Sequence, residues 1–255
     1  MEPVRPLFYN IRDHYPWAET GTYLAAVVVV AYFSYGVWRH VRNWRLGGSE
    51  PVPGAWTSRL PAFVRFGLLQ GRLSSDRSAL GMHLAIFFGM AVLLLGTILA
   101  TIDQDVTHLL FDFQFLRGPV YLAYKLFLDV FAGVLIAGLA FAVFRRYGQK
   151  PARLHNAVAP TFSLDSHFFL AMLGAIAVTG LFVEALRLAA APVPWAKWSP
   201  LGSALSGLFA GAAPETLQTA HFSVWLVHGV LALAFIALIP HSKAFHLISS
   251  AICIY

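Results

Sequence analysis

Apolar residues in this chain run in long unbroken blocks instead of alternating with polar ones. Five such blocks, at about 20–38, 80–102, 119–144, 164–191 and 219–240, each approach or exceed the ~20 residues that a ~30 Å hydrocarbon core requires at 1.5 Å per residue. They predict an all-α integral membrane fold, a bundle of five transmembrane helices forming a single membrane domain over 1–255. Between the first two blocks, Leu46 to Arg77 is too charged to span. The loop 39–79 is therefore expected on the cytoplasmic interface, as a docking surface or with Phe63, Phe66, Leu68 and Leu69 dipping into lipid. The stretch from Pro192 to Pro214 is rich in Pro, Gly, Ala and Ser and is expected to carry a short surface helix over Ser203 to Phe209. No internal repeat is visible.

Composition agrees with a lipid environment, since 58% of the residues are apolar and only 12% charged. The sign of the charges sets the orientation. The loop after the first block and the loop after the third hold eleven Lys/Arg, against Arg5, Arg12, Arg117 and Lys197 on the other side. By the positive-inside rule the N-terminus is outside, the C-terminus is cytoplasmic, and Asp103, Asp105 and Asp112 form an acidic external loop. The expected location is the cell inner (cytoplasmic) membrane, as a multi-pass protein. The first eighteen or so residues are polar and lack a small-residue cleavage site, so the first helix is expected to be retained. The net charge of +6 sits beside hydrophobic segments and not on a surface stripe, which argues against nucleic acid. A single cysteine, Cys253, excludes an iron-sulfur cluster or four-cysteine zinc site held by this chain alone. The absence of GxxxxGK[ST], HExxH and GxSxG removes the commonest nucleotide, metalloprotease and hydrolase readings.

Ionisable residues inside a span are costly and are functional candidates by default. His228 and His246 lie eighteen residues apart, five whole turns of one continuous helix, with a kink expected at Pro240. They would share a face at two depths. His83, near the start of the second span, lies at about the depth of His246, and the two make a plausible axial pair for a haem. Gly89 and Gly96 are expected to leave room for a flat macrocycle. For one buried histidine, a hydrogen bond within the core is the better explanation; for three at matching depths on facing helices, ligation is. Lys125 and Asp129 stand one turn apart, as an ion pair or as part of a quinone and proton site with Glu184. Glu184 and Arg187 form a similar i,i+3 pair.

The run from His228 through Pro240-His-Ser-Lys to His246 resembles the last helix of the gamma (cytochrome b) subunit of respiratory nitrate reductase. It resembles even more the membrane domain of heterodisulfide-reductase-like iron-sulfur oxidoreductases. Further likeness lies in Arg77 to His83, Gly96-Thr97, Tyr124-Lys125 to Asp129, and Thr179-Gly180 to Glu184 and Arg187. The resemblance implies a haem b subunit that moves electrons between the quinone pool, menaquinone or ubiquinone, and a cytoplasmic iron-sulfur protein or fused domain. It implies that His83 and His246 ligate the haem nearer the cytoplasm and that His228 ligates an outer one. The chain departs from the nitrate reductase pattern at Leu93, where that pattern has a second histidine. The second outer ligand is then His221, Met90 or a histidine on another span, or His228 holds no haem, giving one or two haems in all. His167 is expected to line the inner haem or its propionates, and Lys125 to bind a quinone carbonyl while Asp129 or Glu184 takes protons. Iron-sulfur clusters are expected only in a partner or in a domain beyond Tyr255. The rival readings are a non-redox membrane anchor and a metal or proton transporter.

Overall fold

The computed structural model of the chain describes residues 2–48, 56–73, 75–150 and 160–254, without the side chains of 56, 72, 160–166, 251 and 254. Arg153 and His155 lie outside the described residues, as do parts of the 39–79 loop. In chain order the helices are α1 (Pro16–Trp44), α2 (Arg77–Thr101), α3 (Gly118–Phe144), α4 (Pro160–Ala190), α5 (Pro200–Ser206), α6 (Pro214–Leu238) and α7 (His246–Ile254), with one-turn pieces between them. No strand occurs among the described residues beyond a bridge between Val4 and Arg117. Five of these segments are long and apolar enough to cross a membrane. Their starts follow local chemistry. Proline at the first or second helical position opens α1, α3, α5 and α6, where a missing N–H costs nothing. The Asp76 carboxylate caps α2 by accepting from Ala79 N–H at 3.0 Å.

The tightest packing is between α2 and α3 and between α4 and α6, with α3 against α4 joining the two pairs. Gly89 and Gly96 are buried in the first of these interfaces. A Cβ on Gly89 would come within 2.7 Å of Leu135 Cβ, and one on Gly96 would collide with Leu128. Gly138 of α3 returns the fit, since its Cβ would lie 2.9 Å from Ala85 Cβ. These glycines therefore do not make room for a macrocycle; they let two helices approach through small residues. Gly89→Val is expected to lower stability by about 1–3 kcal/mol through overpacking. Gly174→Val, with nothing within 4 Å of the added Cβ, is the control. Apparent unfolding temperatures in detergent compare the two.

The last span breaks where a continuous kinked helix was expected. After Leu238 the chain makes two short turns, Ile239–His241 and Lys243–Phe245, separated by Ser242 in an extended conformation, and α7 begins at His246. Pro240 cannot donate to the helix ladder, and its carbonyl accepts instead from His40 Nε2 at 2.8 Å. The His40 ring stacks on Phe245 with centroids 3.8 Å apart. Gly36 of α1 lies against Pro240 and His241, where a Cβ would meet both at 2.7 Å. This lateral support holds the break, and with it the position of His246.

At the end of the bundle carrying the N-termini of α3 and α6, the polar N-terminal segment forms a strap. Arg5 N–H donates to Leu116 carbonyl at 3.1 Å, Gly118 N–H to Pro3 carbonyl at 2.7 Å, and Asn10 Nδ2 to Gln218 carbonyl at 2.8 Å. Asp103, one of the three acids expected in an external loop, is 0% exposed. A π-helical turn over Ile102–His108 carries the helix onward and turns this carboxylate inward, where it accepts from Leu116 N–H at 2.8 Å and faces Arg5 at 3.7 Å. The helix over Ser203–Phe209 starts earlier, at Pro200, and packs on α4 and α3 with Gly202 buried at the contact, while Leu201 and Leu208 stay exposed.

At the opposite end Arg145 binds Asp76 and Ser78, tying α3 to the start of α2. The Asp76 carboxyl is held well below the usual carboxylate range, chiefly by Arg145 and then by Ala79 N–H and the Ser78 hydroxyl. A carboxyl depressed in the folded state stabilises above its unfolded pKa of about 3.9, and that contribution fades as pH falls further. The melting temperature of wild type relative to Asp76→Asn is therefore expected to be highest near neutral pH and to converge with it below about pH 4.

Candidate functional site

His83, in the second turn of α2, and His246, at the start of α7, line one apolar cavity of about 160 Å³ together with Ile86, Phe87, Phe169 and Phe235. The His246 Nδ1 lies 2.7 Å from the Lys243 carbonyl. A carbonyl only accepts, so Nδ1 carries the proton and Nε2 keeps its lone pair, the arrangement that orients metal-binding imidazoles. The Nδ1 of His83 is buried with no protein partner. Two imidazoles at an apolar wall and one orphaned ring nitrogen are donors of the kind that hold haem, but at about 160 Å³ this chamber admits a macrocycle only if it opens into the larger cavity beside it.

A second cavity of about 600 Å³ fills the interior between α2, α3, α4 and α6 and shares Met90, Leu173, Phe235 and Leu247 with the first. That volume lies within the range of small-molecule sites, about 300–1,000 Å³. His228 faces it with Nδ1 at 3.1 Å from the Ile176 carbonyl and 3.1 Å from Thr179 Oγ1, so its tautomer is fixed in the same way as that of His246. Leu93, in place of a histidine, also lines this cavity.

Polar residues gather at the strap end. Lys125, 5% exposed, bonds Glu184 and donates to Ser199 Oγ at 2.5 Å. Arg187 embraces the same carboxylate, Nε to Oε2 at 2.9 Å and Nη2 to Oε1 at 2.8 Å, and Ser199 Oγ lies 3.2 Å from Oε1. Lys125 therefore pairs across helices with Glu184 and not along its own helix with Asp129. Asp129 instead accepts from Leu201 N–H at 2.7 Å and Gly202 N–H at 2.9 Å, fixing the start of α5. His221 is 2% exposed, with Nδ1 unpartnered and its ring edge-on to Tyr9 at 5.2 Å. Burial raises the Tyr9 hydroxyl pKa, with a smaller opposing pull from Arg187.

Of the expected site residues, His83 and His246 meet in one cavity and Lys125, Asp129, Glu184, His221 and His228 line the other. His167 lies by Tyr147, ring centroids 5.8 Å apart, and lines neither. Ser199, Tyr9 and His40 were not singled out by sequence, since each acts on residues distant along the chain. Among the described residues no group of three or more His, Cys, Asp or Glu gathers as a metal site, which leaves pairs of imidazoles as the ligands to consider.

Fold and interior together define a class: a five-helix membrane protein with inward-facing histidines and a buried ion cluster beside a large internal cavity. Comparison with known proteins gives this class two relatives. The chain is 28% identical over 258 residues to the EtfAB:quinone oxidoreductase of Syntrophomonas wolfei, an alignment covering 97% of the chain and 34% of that protein. It is 24% identical over 235 residues to the probable iron-sulfur-binding oxidoreductase FadF of Bacillus subtilis, covering 89% of the chain and 31% of that protein. The chain thus spans about a third of the length of the curated relatives it matches. No family model and no solved structure matches. Both relatives are oxidoreductases by name and neither is a nitrate reductase gamma subunit, so the comparisons favour the iron-sulfur oxidoreductase side of the resemblance alone.

Proposed function

We propose that this chain is a haem b-binding membrane domain that transfers electrons between a quinone pool and a cytoplasmic iron-sulfur protein or fused domain. The observation that carries the reading is the meeting of His83 and His246 in one apolar cavity that abuts the larger one. Haem, when bound, supplies a one-electron carrier in the membrane interior, and its potential is tuned by its ligands, burial and hydrogen bonds. His83 and His246 would hold it nearer the cytoplasm, with the Lys243 carbonyl orienting His246. His228 would hold a second one, and Met90, which lines both cavities, offers a sulfur ligand where Leu93 offers none.

The quinone ring would sit at the strap end, outside by the charge bias of the loops. Lys125 spends two ammonium hydrogens on Glu184 and Ser199 and has one left for a quinone carbonyl. Both carboxylates expected to take protons are engaged, Asp129 by two backbone N–H groups and Glu184 by three side chains. We assign them the positioning of α5 and of Lys125. The names of the relatives, one a quinone oxidoreductase and one iron-sulfur-binding, support the two ends of this electron path. A pyridine haemochrome assay with a reduced-minus-oxidised spectrum tests it. One or two b haems per chain are expected, and none in folded protein made with ample haem would remove the cytochrome reading.

A further inference from the structure

We infer that His221 hydrogen-bonds the head group of a quinone-class ligand in the larger cavity and is not a haem ligand. The inference rests on the quinone reading above and assigns a residue to that ligand. Among the described residues, His221 is the one side chain lining this cavity whose buried polar atom has no partner. Its polar neighbours are committed: Arg187 to Glu184 through two nitrogens, Asp129 to two N–H groups, and the Tyr124 hydroxyl to the Gly96 carbonyl at 3.2 Å. A buried imidazole left without a partner is unfavourable, and a ligand carbonyl is the acceptor that an N–H on this wall lacks.

A haem shared with His228 does not supply that partner. His221 and His228 are seven residues apart on one unbroken helix, α6, so they leave it from nearly the same face, about 10.5 Å apart along its axis. Trans ligands approach one iron from opposite sides of a ring. Trp225 falls between the two histidines along that face and also lines the cavity. The surroundings suit a flat dione instead. Tyr9 meets His221 edge-on at 5.2 Å, Phe8 meets Trp225 edge-on at 6.1 Å, and Tyr121 lines the same cavity. Such aromatic walls receive a planar ring, with Lys125 available to the second carbonyl.

The test uses the full chain in nanodiscs as wild type, His221→Leu and His221→Gln. Each is titrated with the fluorescent quinone analogue heptyl-hydroxyquinoline N-oxide and scored for haem per chain. Leucine is expected to weaken the analogue about tenfold, the loss of one buried hydrogen bond. Glutamine, which keeps an N–H but is a poor iron ligand, should stay within about threefold. Both should retain the haem content of wild type. Loss of haem in either variant would make His221 a ligand and overturn the inference, as would equal affinity in all three proteins. Failure of the wild type to bind the analogue would remove the quinone reading and this inference with it. Absence of haem from the wild type would strike the cytochrome reading alone, with the titration still deciding His221.

Discussion

Replacing His83 or His246 with leucine is expected to lower the haem b content by one per chain while leaving a protein that still inserts and folds. Both residues line an apolar chamber, so leucine fills the wall at modest packing cost; at 246 it also removes one donor from the Lys243 carbonyl, which keeps the His246 backbone N–H. Ligation, by contrast, has no substitute. The loss of one imidazole leaves one protein ligand, and the His83 side offers no second donor among the residues of that cavity except Met90. Either variant alone should therefore give the same deficit, and the double variant should give no further one. His167→Leu is the control, because that ring lies outside both cavities. The measurement is haem per chain with the absorbance spectrum of the reduced protein. Unchanged haem in both single variants would sink the assignment of this pair.

Much of this arrangement was legible in the sequence because it depends on distance along one segment. Span lengths follow from the thickness of a bilayer, and the depths of His83 and His246 follow from their positions near the ends of their spans. What escaped depends on contacts across helices. Lys125 has a carboxylate one turn away at Asp129, yet it binds Glu184, 59 positions on, and Ser199, 74 positions on. Helical spacing offers only the local partner, and packing chose the distant one, leaving Asp129 to hold α5. Gly89 and Gly96 gave the same ambiguity, since a glycine face can admit a cofactor or a neighbouring helix, and only the position of Leu135 and Leu128 decides. The break after Leu238 was visible as Pro240, but its depth depended on His40, two hundred residues away in sequence.

The ion cluster separates structural need from function by its asymmetry. Glu184 is the anion that bridges two cations, Lys125 and Arg187. Glu184→Leu would strand both in a buried setting, at an expected cost of about 3–5 kcal/mol. Lys125→Met leaves Glu184 paired bidentately with Arg187, so the expected cost falls to about 1–3 kcal/mol. Replacing all three by apolar residues of similar volume removes the stranded charges, and such replacements are often neutral or stabilising. The order of apparent melting temperatures is therefore wild type close to the triple variant, then Lys125→Met, then Glu184→Leu. A Lys125→Met variant as unstable as Glu184→Leu would contradict this hierarchy. The triple variant then puts the proposed role of Lys125 to a test that instability does not confound. If its ammonium binds a quinone carbonyl, this stable protein should keep its haem and lose affinity for the quinone analogue; unchanged affinity would leave the cluster with a purely structural role.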